Sequence, residues 1–293
     1  MARRALVIGA QVEGLRGPDE DSAQIGALLA ARGFAIDRRI GPAASRAGIL
    51  AGLAALTAAA APQDAAVVYF SGHGYHGAHP DGGHWQCIAP TDLRAGSDHD
   101  WRGITAWELA AQLAALTRRT RNVTVWLDCC HAAELCRDGG PPGAIARALP
   151  HPVDGGRAAH LAALRALHGP ATDAVDPLGN PDVVRVVAAG QREPAFERAG
   201  PDGGYRGAFT AALVDVLAEA GDAPVSWRSI VGAIRARVQA QFPRQRPVVE
   251  GPAGRAPFSL IEPAEPAHVA ARRDGDAVVL AAGWLTQVAI GDR

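Results

Sequence analysis

Val123-Thr124-Val125-Trp126-Leu127-Asp128-Cys129-Cys130-His131 is the most informative stretch of this sequence. Its first five residues form an apolar run, which is typical of a buried strand. A second apolar run, from Ala65 to Phe70, is followed in the same way by the polar residues Ser71-Gly72-His73-Gly74. Because ligands of open α/β sheets bind at the carboxyl ends of the strands, we expect a thiol and an imidazole to meet at one edge of a sheet. A cysteine and a histidine placed together in this way can carry out nucleophilic hydrolysis.

The composition limits the classes of protein to consider. An apolar fraction of 48% in 293 residues is enough for one large domain or two small ones. The net charge of −1 does not favour nucleic-acid binding, and no apolar stretch is long enough to span a bilayer. Four cysteines in a chain of this length indicate free thiols rather than a disulfide framework. The first strand-like segment begins so close to Met1 that no secretory signal fits before it, and we therefore expect a cytoplasmic protein.

Strand-like and helix-like segments alternate along the chain. The strand-like segments are 5–9, 34–40, 65–70, 123–127 and 183–188, and the helix-like segments are 22–32, 44–60, 104–116, 208–220 and 226–241. Such alternation predicts an α/β fold, with a mostly parallel central sheet of about six strands and helices on both faces. Ser226 is the predicted N-cap of the last helix.

Two further segments differ from this pattern. Residues 131–182 are rich in Gly and Pro, with helical spacing only at 158–168, and a connection of this length is usually functional or mobile. Near the end of the chain, Asp274-Gly275 precedes an apolar run at 277–280, which predicts a β-hairpin. We interpret 263–293 as a short C-terminal β extension or as the start of a further domain, because it is too short to bury a core.

The two strand-end motifs resemble those of a known enzyme family. YFSGHG at 69–74 and WLDCCHA at 126–132 are similar to the histidine and cysteine motifs of the caspase-like cysteine proteases, peptidase C14, of the bacterial metacaspase and orthocaspase type. The resemblance covers about residues 1–262 and implies a three-layer αβα caspase-like fold. It further implies a His- and Cys-bearing part (1–130), a processing-type linker (131–182) and a small-subunit-like part (183–262).

The resemblance also implies roles for individual residues at the reacting centre. Cys130, which directly precedes the His of its motif, corresponds to the nucleophile, while Cys129 occupies a variable position. His73 corresponds to the general base that later protonates the leaving amine. The backbone N–H groups of Gly74 and Cys130 correspond to the oxyanion donors.

Substrate specificity is predicted from charge. The resemblance implies that Asp128 lines the first specificity pocket, with help from Ser71 and Asp21, and a buried carboxylate there selects Arg or Lys. The expected substrates are therefore proteins or peptides cut after Arg or Lys, and not after Asp. No cofactor is required by this chemistry. Some relatives depend on calcium, but no loop of oxygen ligands is evident in this sequence.

The 131–182 linker offers sites for self-processing by an Arg-specific protease. Its arginines Arg137, Arg147, Arg157 and Arg165 are predicted to be exposed. Bacterial relatives often act in stress or defence signalling, so an upstream activating partner or a fused module is a further expectation. Glu193 and Glu197 are predicted to support the loop beside the cleft, with surface salt bridges as the alternative.

Other interpretations remain open at this point. The chain could be a catalytically silent caspase-homology scaffold or sensor, and Asp128, Asp21 and Ser71 could have purely structural roles. A zinc site could be formed by one of two sets, His73, His76, His79, His84 and Cys87, or Cys129, Cys130, His131 and Cys136. The spacing of the first set is loose for zinc, and adjacent strand residues of the second point to opposite faces, so neither is favoured.

Overall fold

The computed structural model describes residues 1–78, 84–130, 141–151, 153–168, 180–201, 203–264, 271–274 and 277–280. The strands are β1 (Arg3–Ala10), β2 (Ala35–Ile40), β3 (Ala65–Gly72), β4 (Gly74–Ala78), β5 (His84–Ile88), β6 (Ile104–Thr105), β7 (Asn122–Asp128), β8 (Ala144–Ala146), β9 (Val183–Val187), β10 (Phe196–Ala199), β11 (Tyr205–Gly207), β12 (Val248–Glu250), β13 (Ala271–Asp274) and β14 (Ala277–Leu280). The α-helices are α1 (Pro18–Ala30), α2 (Arg46–Ala59), α3 (Ala106–Thr117), α4 (Arg157–His168), α5 (Ala208–Ala220) and α6 (Trp227–Gln241).

The central sheet has six strands among the described residues, in the order β12-β9-β7-β3-β1-β2. All neighbours are parallel except β12, which runs antiparallel to β9 at one edge. The prediction of a mostly parallel sheet of about six strands is confirmed. In the register of β3 with β7, Ser71 lies opposite Asp128, so the two motif-bearing strands are neighbours that end at the same level.

Helices cover both faces of this sheet, which confirms the three-layer α/β fold. Alternate strand residues belong to different cores, as the two-residue period of a strand requires. Val67 and Tyr69 of β3 pack in the core that contains α1, α5 and α6, whereas Val68 and Phe70 pack in the core that contains α2 and α3. The strands are buried on both faces, which explains why they form continuous apolar runs in the sequence.

Local capping explains where several helices begin. The Ser226 hydroxyl accepts a hydrogen bond from the backbone N–H of Ser229, so the predicted N-cap is confirmed. Thr105 and Glu108 form a reciprocal capping box at the start of α3, and Ser45 caps α2. The predicted helix at 208–220 agrees with α5 at both ends, and the helix predicted at 22–32 begins earlier, at Pro18.

Smaller sheets lie outside the central one. β4, β5 and β6 form an antiparallel sheet in a part of the chain where no strand was predicted, and β6 occupies the first two residues of the helix predicted at 104–116. β8, β10 and β11 form a second antiparallel sheet, and β13 pairs with β14 as a hairpin in the predicted C-terminal β extension. Over the described ranges, no helix has both the length and the apolar character needed to cross a membrane.

Candidate active site

The two strand-end motifs come together at the carboxyl edge of the central sheet. His73 directly follows the end of β3 at Gly72, and Cys130 lies two residues beyond the end of β7 at Asp128, so the imidazole and the thiol follow adjacent parallel strands. Each of these two residues has only 1% of its surface exposed. The sequence prediction that a cysteine and a histidine share this edge therefore agrees with the register of the sheet.

The adjacent cysteines lie on opposite faces of the sheet. Cys130 belongs to the core that contains α1 and α5, whereas Cys129 belongs to the core that contains α2 and α3. Burial, followed by the nearby Asp128 carboxylate, raises the pKa of the Cys129 thiol well above its usual value. The Cys130 thiol instead lies beside the loop before β10, where it donates a hydrogen bond to the Glu193 carbonyl at 3.2 Å. Cys129 is therefore an inert thiol in the opposite core, whereas the Cys130 thiol lies at the sheet edge that it shares with His73.

Two backbone N–H groups converge on a single carbonyl oxygen at this edge. The N–H of Gly74 lies 3.0 Å from the Arg147 carbonyl oxygen, and the N–H of Cys130 lies 3.2 Å from the same atom. These are the two donors that the family resemblance implies for an oxyanion. The peptide carbonyl of Arg147 is therefore the acceptor that both of these N–H groups share.

The Arg147 side chain fills a pocket of three carboxylates. Its guanidinium pairs with Asp21, lies 3.2 Å from Glu197 Oε2 and lies 3.3 Å from Asp128 Oδ2. One guanidinium nitrogen also donates to Ser71 Oγ at 2.5 Å and to the Asp128 carbonyl at 3.1 Å. All of these side chains are fully buried. The structure thus brings the three predicted pocket residues together and adds Glu197, which the sequence analysis assigned only to loop support or a surface ion pair.

Neighbouring segments fix the orientation of each carboxylate. Asp21 accepts a hydrogen bond from the N–H of Gly207 at 3.0 Å, and Asp128 accepts bonds from the N–H and hydroxyl groups of Thr210 at 3.2 and 2.5 Å. Glu197 accepts bonds from the N–H groups of Arg16 and Gly17 at 2.7 and 3.2 Å. These donors hold the acidic groups in place at a buried site, where carboxylates without partners would be costly.

Glycine at position 207 is required by the close approach of the pocket wall. A Cβ atom at this position would lie 2.1 Å from Asp128 Oδ2 and 2.9 Å from the Arg147 guanidinium carbon. A side chain at this position would therefore displace the carboxylate or the bound guanidinium.

For both Asp128 and Arg147, burial and the oppositely charged neighbours in this pocket shift the pKa in opposite directions. Burial is the largest influence on Asp128, and together with the Asp21 carboxylate it raises the pKa of Asp128 to about 6, although Arg147 opposes the shift. For Arg147, burial alone would lower the pKa, but the surrounding carboxylates of Asp128, Asp21 and Glu197 outweigh it and raise the pKa above its usual value. The guanidinium is therefore charged at all physiological pH values, and the pocket is built for a cation.

The chain on both sides of Arg147 is held as an extended peptide. Before it, β8 pairs antiparallel with β10, and the N–H of Arg147 donates to the Ala195 carbonyl at 2.9 Å. After it, the N–H of Leu149 donates to the Gly74 carbonyl at 2.9 Å, and the Leu149 side chain packs in an apolar cluster with Tyr75 and Trp85. Residues 144–149, the docked segment, are thus bound by strand addition, a common mode of peptide recognition.

The predicted exposure of the linker arginines is wrong for Arg147, which has no exposed surface. Its burial depends on residues from distant parts of the chain, so local composition could not reveal it. Arg157 lies over the Trp85 ring at 4.4 Å and pairs with Asp154, and Arg165 is part of helix α4. Arg137 lies outside the described residues. Among the described linker arginines, Arg147 is therefore the residue placed in the carboxylate pocket.

His73 lies in a buried environment beside the Arg147 peptide. Burial lowers the pKa of His73 to about 4, although hydrogen bonding to the backbone of Glu13 and of Arg147 opposes the shift. The ring Nε2 lies 3.3 Å from the Glu13 carbonyl oxygen. At neutral pH the imidazole is consequently uncharged, which is the form that can accept a proton from a thiol.

This environment predicts a measurable titration of His73. In a Cys130→Ala chain, we expect its imidazole to stay neutral until the pH approaches 4, because burial disfavours the charged form. In the unfolded chain the His73 imidazole titrates at about 6.5, so as the pH falls the unfolded chain binds a proton before the folded chain does. His73 therefore lowers the free energy of unfolding as the pH falls from about 6.5 to 4. NMR titration of labelled histidines, with the signal assigned by His73→Gln, measures this pKa. A second chain that also carries Arg147→Ala should show a higher pKa as water enters, and an unchanged value in that chain would contradict the explanation.

The structure also bears on the predicted role of Glu193 and on the two zinc alternatives. Glu193 accepts a hydrogen bond from the Gly190 N–H at 3.1 Å and pairs with Arg246 at 3.0 Å, so it both supports the loop and forms an ion pair. Within the described ranges, no group of three or more His, Cys, Asp and Glu side chains is arranged to hold a metal ion. His79, His131 and Cys136 of the two zinc alternatives lie outside the described residues.

A cavity of about 130 Å³ lies on the opposite face of β7 from the docked segment. Its lining includes Leu127, Cys129, Leu109 and Leu113, so it borders the inert thiol rather than Cys130. None of the carboxylates that surround Arg147 lines this cavity, so it is separate from the Arg147 pocket.

Comparisons with known proteins agree with the fold. The family model described as a caspase domain, peptidase C14, matches residues 2–258. A crystal structure of a Geobacter sulfurreducens protein is similar to this chain with a TM-score of 0.62 and 20% sequence identity, over 89% of this chain and 100% of that one. No curated protein matches this chain. Because the family model covers nearly the whole sequence, the chain belongs to the caspase-domain family, peptidase C14.

Proposed function

We propose that this protein is a cysteine endopeptidase that cuts proteins after Arg and, more slowly, after Lys. The observation that carries the proposal is the binding of Arg147. Its carbonyl oxygen lies between the N–H groups of Gly74 and Cys130, while its guanidinium is surrounded by Asp21, Asp128 and Glu197. A residue with its carbonyl polarised and its side chain anchored is placed as the residue before a scissile bond would be.

The reaction follows from the groups at this edge. The neutral His73 takes the proton of the Cys130 thiol, and the sulfur attacks the substrate carbonyl carbon. The oxyanion that forms is stabilised by the N–H groups of Gly74 and Cys130. Collapse of the tetrahedral intermediate breaks the C–N bond, and His73 gives its proton to the leaving amine. Water then hydrolyses the thioester, which releases the carboxylate product and restores the thiol.

The pocket geometry supports a preference for Arg over Lys. The two terminal nitrogens of the guanidinium divide their contacts, one facing Ser71 and Asp128 and the other facing Asp21 and Glu197. A Lys ammonium is a single point charge and cannot reach both groups of acceptors in the same way. An Asp side chain would add a fourth carboxylate to three buried ones, which is strongly unfavourable.

The partners that we propose are proteins or peptides with an accessible Arg or Lys, cut by a reaction that needs no cofactor. A role in bacterial stress or defence signalling, with an upstream activating partner, belongs to the same proposal. Self-processing in the 131–182 linker also belongs to it, after Arg147, whose guanidinium lies among the three carboxylates. The competing scaffold function does not account for a buried Arg carbonyl held by two backbone donors beside a thiol and a neutral imidazole.

The test is a panel of peptides that differ only in the residue before the cut. We expect cleavage after Arg, cleavage after Lys that is about tenfold slower because a charge-assisted hydrogen bond is lost, and no cleavage after Asp. Fluorogenic release from matched Arg, Lys and Asp peptides measures the three values of kcat/KM. Assays with and without calcium determine whether the ion contributes.

Two results would contradict the proposal. Hydrolysis of the Asp peptide in preference to the Arg peptide would show that the carboxylate pocket does not select the substrate. Absence of hydrolysis of every peptide in the panel, with and without calcium, would favour the scaffold function.

A further inference from the structure

We propose that the cleft has a subsite for a large apolar side chain at the second residue after the scissile bond, and that Tyr75, Trp85 and Trp101 form it. The subsite rests on the proposed function, because it selects substrates for the same reaction. A protein segment with Leu at this position is therefore cut faster after its Arg than a segment with a charged residue there.

Leu149 marks the place of this subsite. The carbonyl oxygen of Arg147 accepts hydrogen bonds from the N–H groups of Gly74 and Cys130. Leu149 stands two residues further along the chain, where the second residue of a leaving fragment would lie. Its N–H donates to the Gly74 carbonyl at 2.9 Å, and its side chain has no exposed surface. Both the backbone and the side chain of this residue are therefore bound.

One strand links the subsite to the oxyanion donors. Gly74, the first residue of β4, uses its N–H for the Arg147 carbonyl and its C=O for the Leu149 N–H. Tyr75, the next residue of β4, belongs to the same apolar cluster as Leu149. A substrate whose second residue after the cut fills this cluster is thereby held in register with the groups that polarise its carbonyl.

Three aromatic rings give the subsite a rigid wall. The Tyr75 and Trp85 rings meet edge to face with their centroids 5.3 Å apart, and the Trp85 and Trp101 rings do so at 5.9 Å. The indole N–H of Trp101 also donates to the Val153 carbonyl at 2.8 Å. All three aromatic side chains are buried. A surface that is already ordered binds an apolar side chain at a low cost in conformational entropy.

The described side chains of this cluster carry no charge at physiological pH. Burial raises the pKa of the Tyr75 hydroxyl and of the Cys87 thiol, so both groups are neutral. Arg157 lies over the Trp85 ring at 4.4 Å, but it already pairs with Asp154. A charged substrate side chain would lose its hydration among these neutral groups, which is costly.

The test is a competition among peptides that differ at one position. Each peptide has the sequence Ala-Ile-Ala-Arg-Ala-X-Pro of residues 144–150, with X as Leu, Ala, Lys or Asp. Wild-type protein cuts an equimolar mixture, and mass spectrometry of the early products gives the ratios of kcat/KM. We expect Leu to exceed Ala by about 10- to 50-fold, because less apolar surface is buried with Ala. Leu should exceed Lys and Asp by about 100-fold or more.

A variant of the wall gives a readout that misfolding does not reproduce. Trp101→Ala removes one side of the subsite, so it should lower the ratio of kcat/KM for Leu over Ala by at least about threefold. A smaller fraction of folded protein would lower both values equally and leave their ratio unchanged. Trp107→Ala is the matched control, because Trp107 is a half-buried tryptophan of α3 outside this cluster, and it should keep the wild-type ratio.

The outcomes distinguish the subsite from the proposed function. Equal cutting of all four peptides after Arg would show that Leu149 stays in the cluster as a core residue, which overturns the subsite and leaves the proposed function standing. An unchanged ratio in Trp101→Ala would have the same consequence. Faster cutting of the Asp peptide than of the Leu peptide would assign the selection to Arg157 and would also overturn the subsite alone. If none of the peptides is cut, both proposals fail.

Discussion

Replacing Cys130 with Ala is expected to lower hydrolysis of Arg peptides by about 10⁴-fold or more, because removal of a nucleophile leaves only binding and oxyanion stabilisation. The variant chain should also remain a single species on a denaturing gel. Since Cys130 packs in a core cluster, the smaller side chain is expected to cost about 1 kcal/mol of stability, which a thermal melt measures.

The neighbouring cysteine provides a matched control. Cys129 is a residue of the same type and is buried to nearly the same extent as Cys130, but it belongs to the core on the opposite face of the sheet. Cys129→Ala is therefore expected to retain hydrolysis within about threefold of wild type while losing a similar amount of stability. Equal loss of activity in both variants would indicate a structural effect of the pair, and loss in Cys129→Ala alone would reverse the assignment of the nucleophile.

The layers of the fold were predictable from the sequence because its strands are buried on both faces. Continuous apolar runs such as Ala65–Phe70 identify such strands directly, and helices of 3.6-residue periodicity between them complete the α/β pattern. The β4–β5–β6 sheet was not predicted, since its residues are interspersed with glycine and histidine. The available signal was the alternation of apolar with polar residues, with Tyr75 in β4 and with Trp85 and Cys87 in β5. These three side chains share one apolar cluster.

The candidate site residues differ in how far their own sequence neighbourhood reveals them. His73 and Cys130 could be proposed because each follows a recognisable strand, and the parallel pairing of these strands brings their ends together. Asp128 and Ser71 are carried on the same two strand ends. Glu197 was not assigned to the pocket because its contact with Arg147 spans 50 positions, and nothing in its own neighbourhood distinguishes it from a surface acid.

Arg147 was the largest difference between sequence and structure. A Gly- and Pro-rich linker normally lies on the surface, and an arginine within it is normally solvated. Four residues from separate parts of the chain, Asp21, Ser71, Asp128 and Glu197, reverse that expectation by supplying partners for a charge that would otherwise be costly to bury. Such a pocket exists only after the chain has folded, so no local pattern encodes it.

Asp128→Asn is expected to lower kcat/KM for Arg peptides by about 10²- to 10³-fold at pH 8. Loss of one partner from a buried ion pair costs about 3–5 kcal/mol, and each 1.4 kcal/mol corresponds to about tenfold in rate. Self-cleavage after Arg147 should slow by a similar factor, because the same pocket binds it. Asp100→Asn is the matched control, since Asp100 pairs with Arg102 on the surface with 56% of its side chain exposed.

The pH dependence of this variant separates a specificity role from a folding defect. Because burial raises the pKa of Asp128 to about 6, the wild-type carboxyl is ionised at pH 8 and largely protonated at pH 5. A protonated Asp resembles Asn in charge, so the rates of self-cleavage of wild type and Asp128→Asn should converge as the pH falls through 6. His73 does not obscure the comparison, because with the segment docked its pKa is lowered to about 4 and its imidazole is still mostly neutral at pH 5. A variant that was merely misfolded would stay equally impaired at both pH values, and that result would remove Asp128 from the specificity pocket.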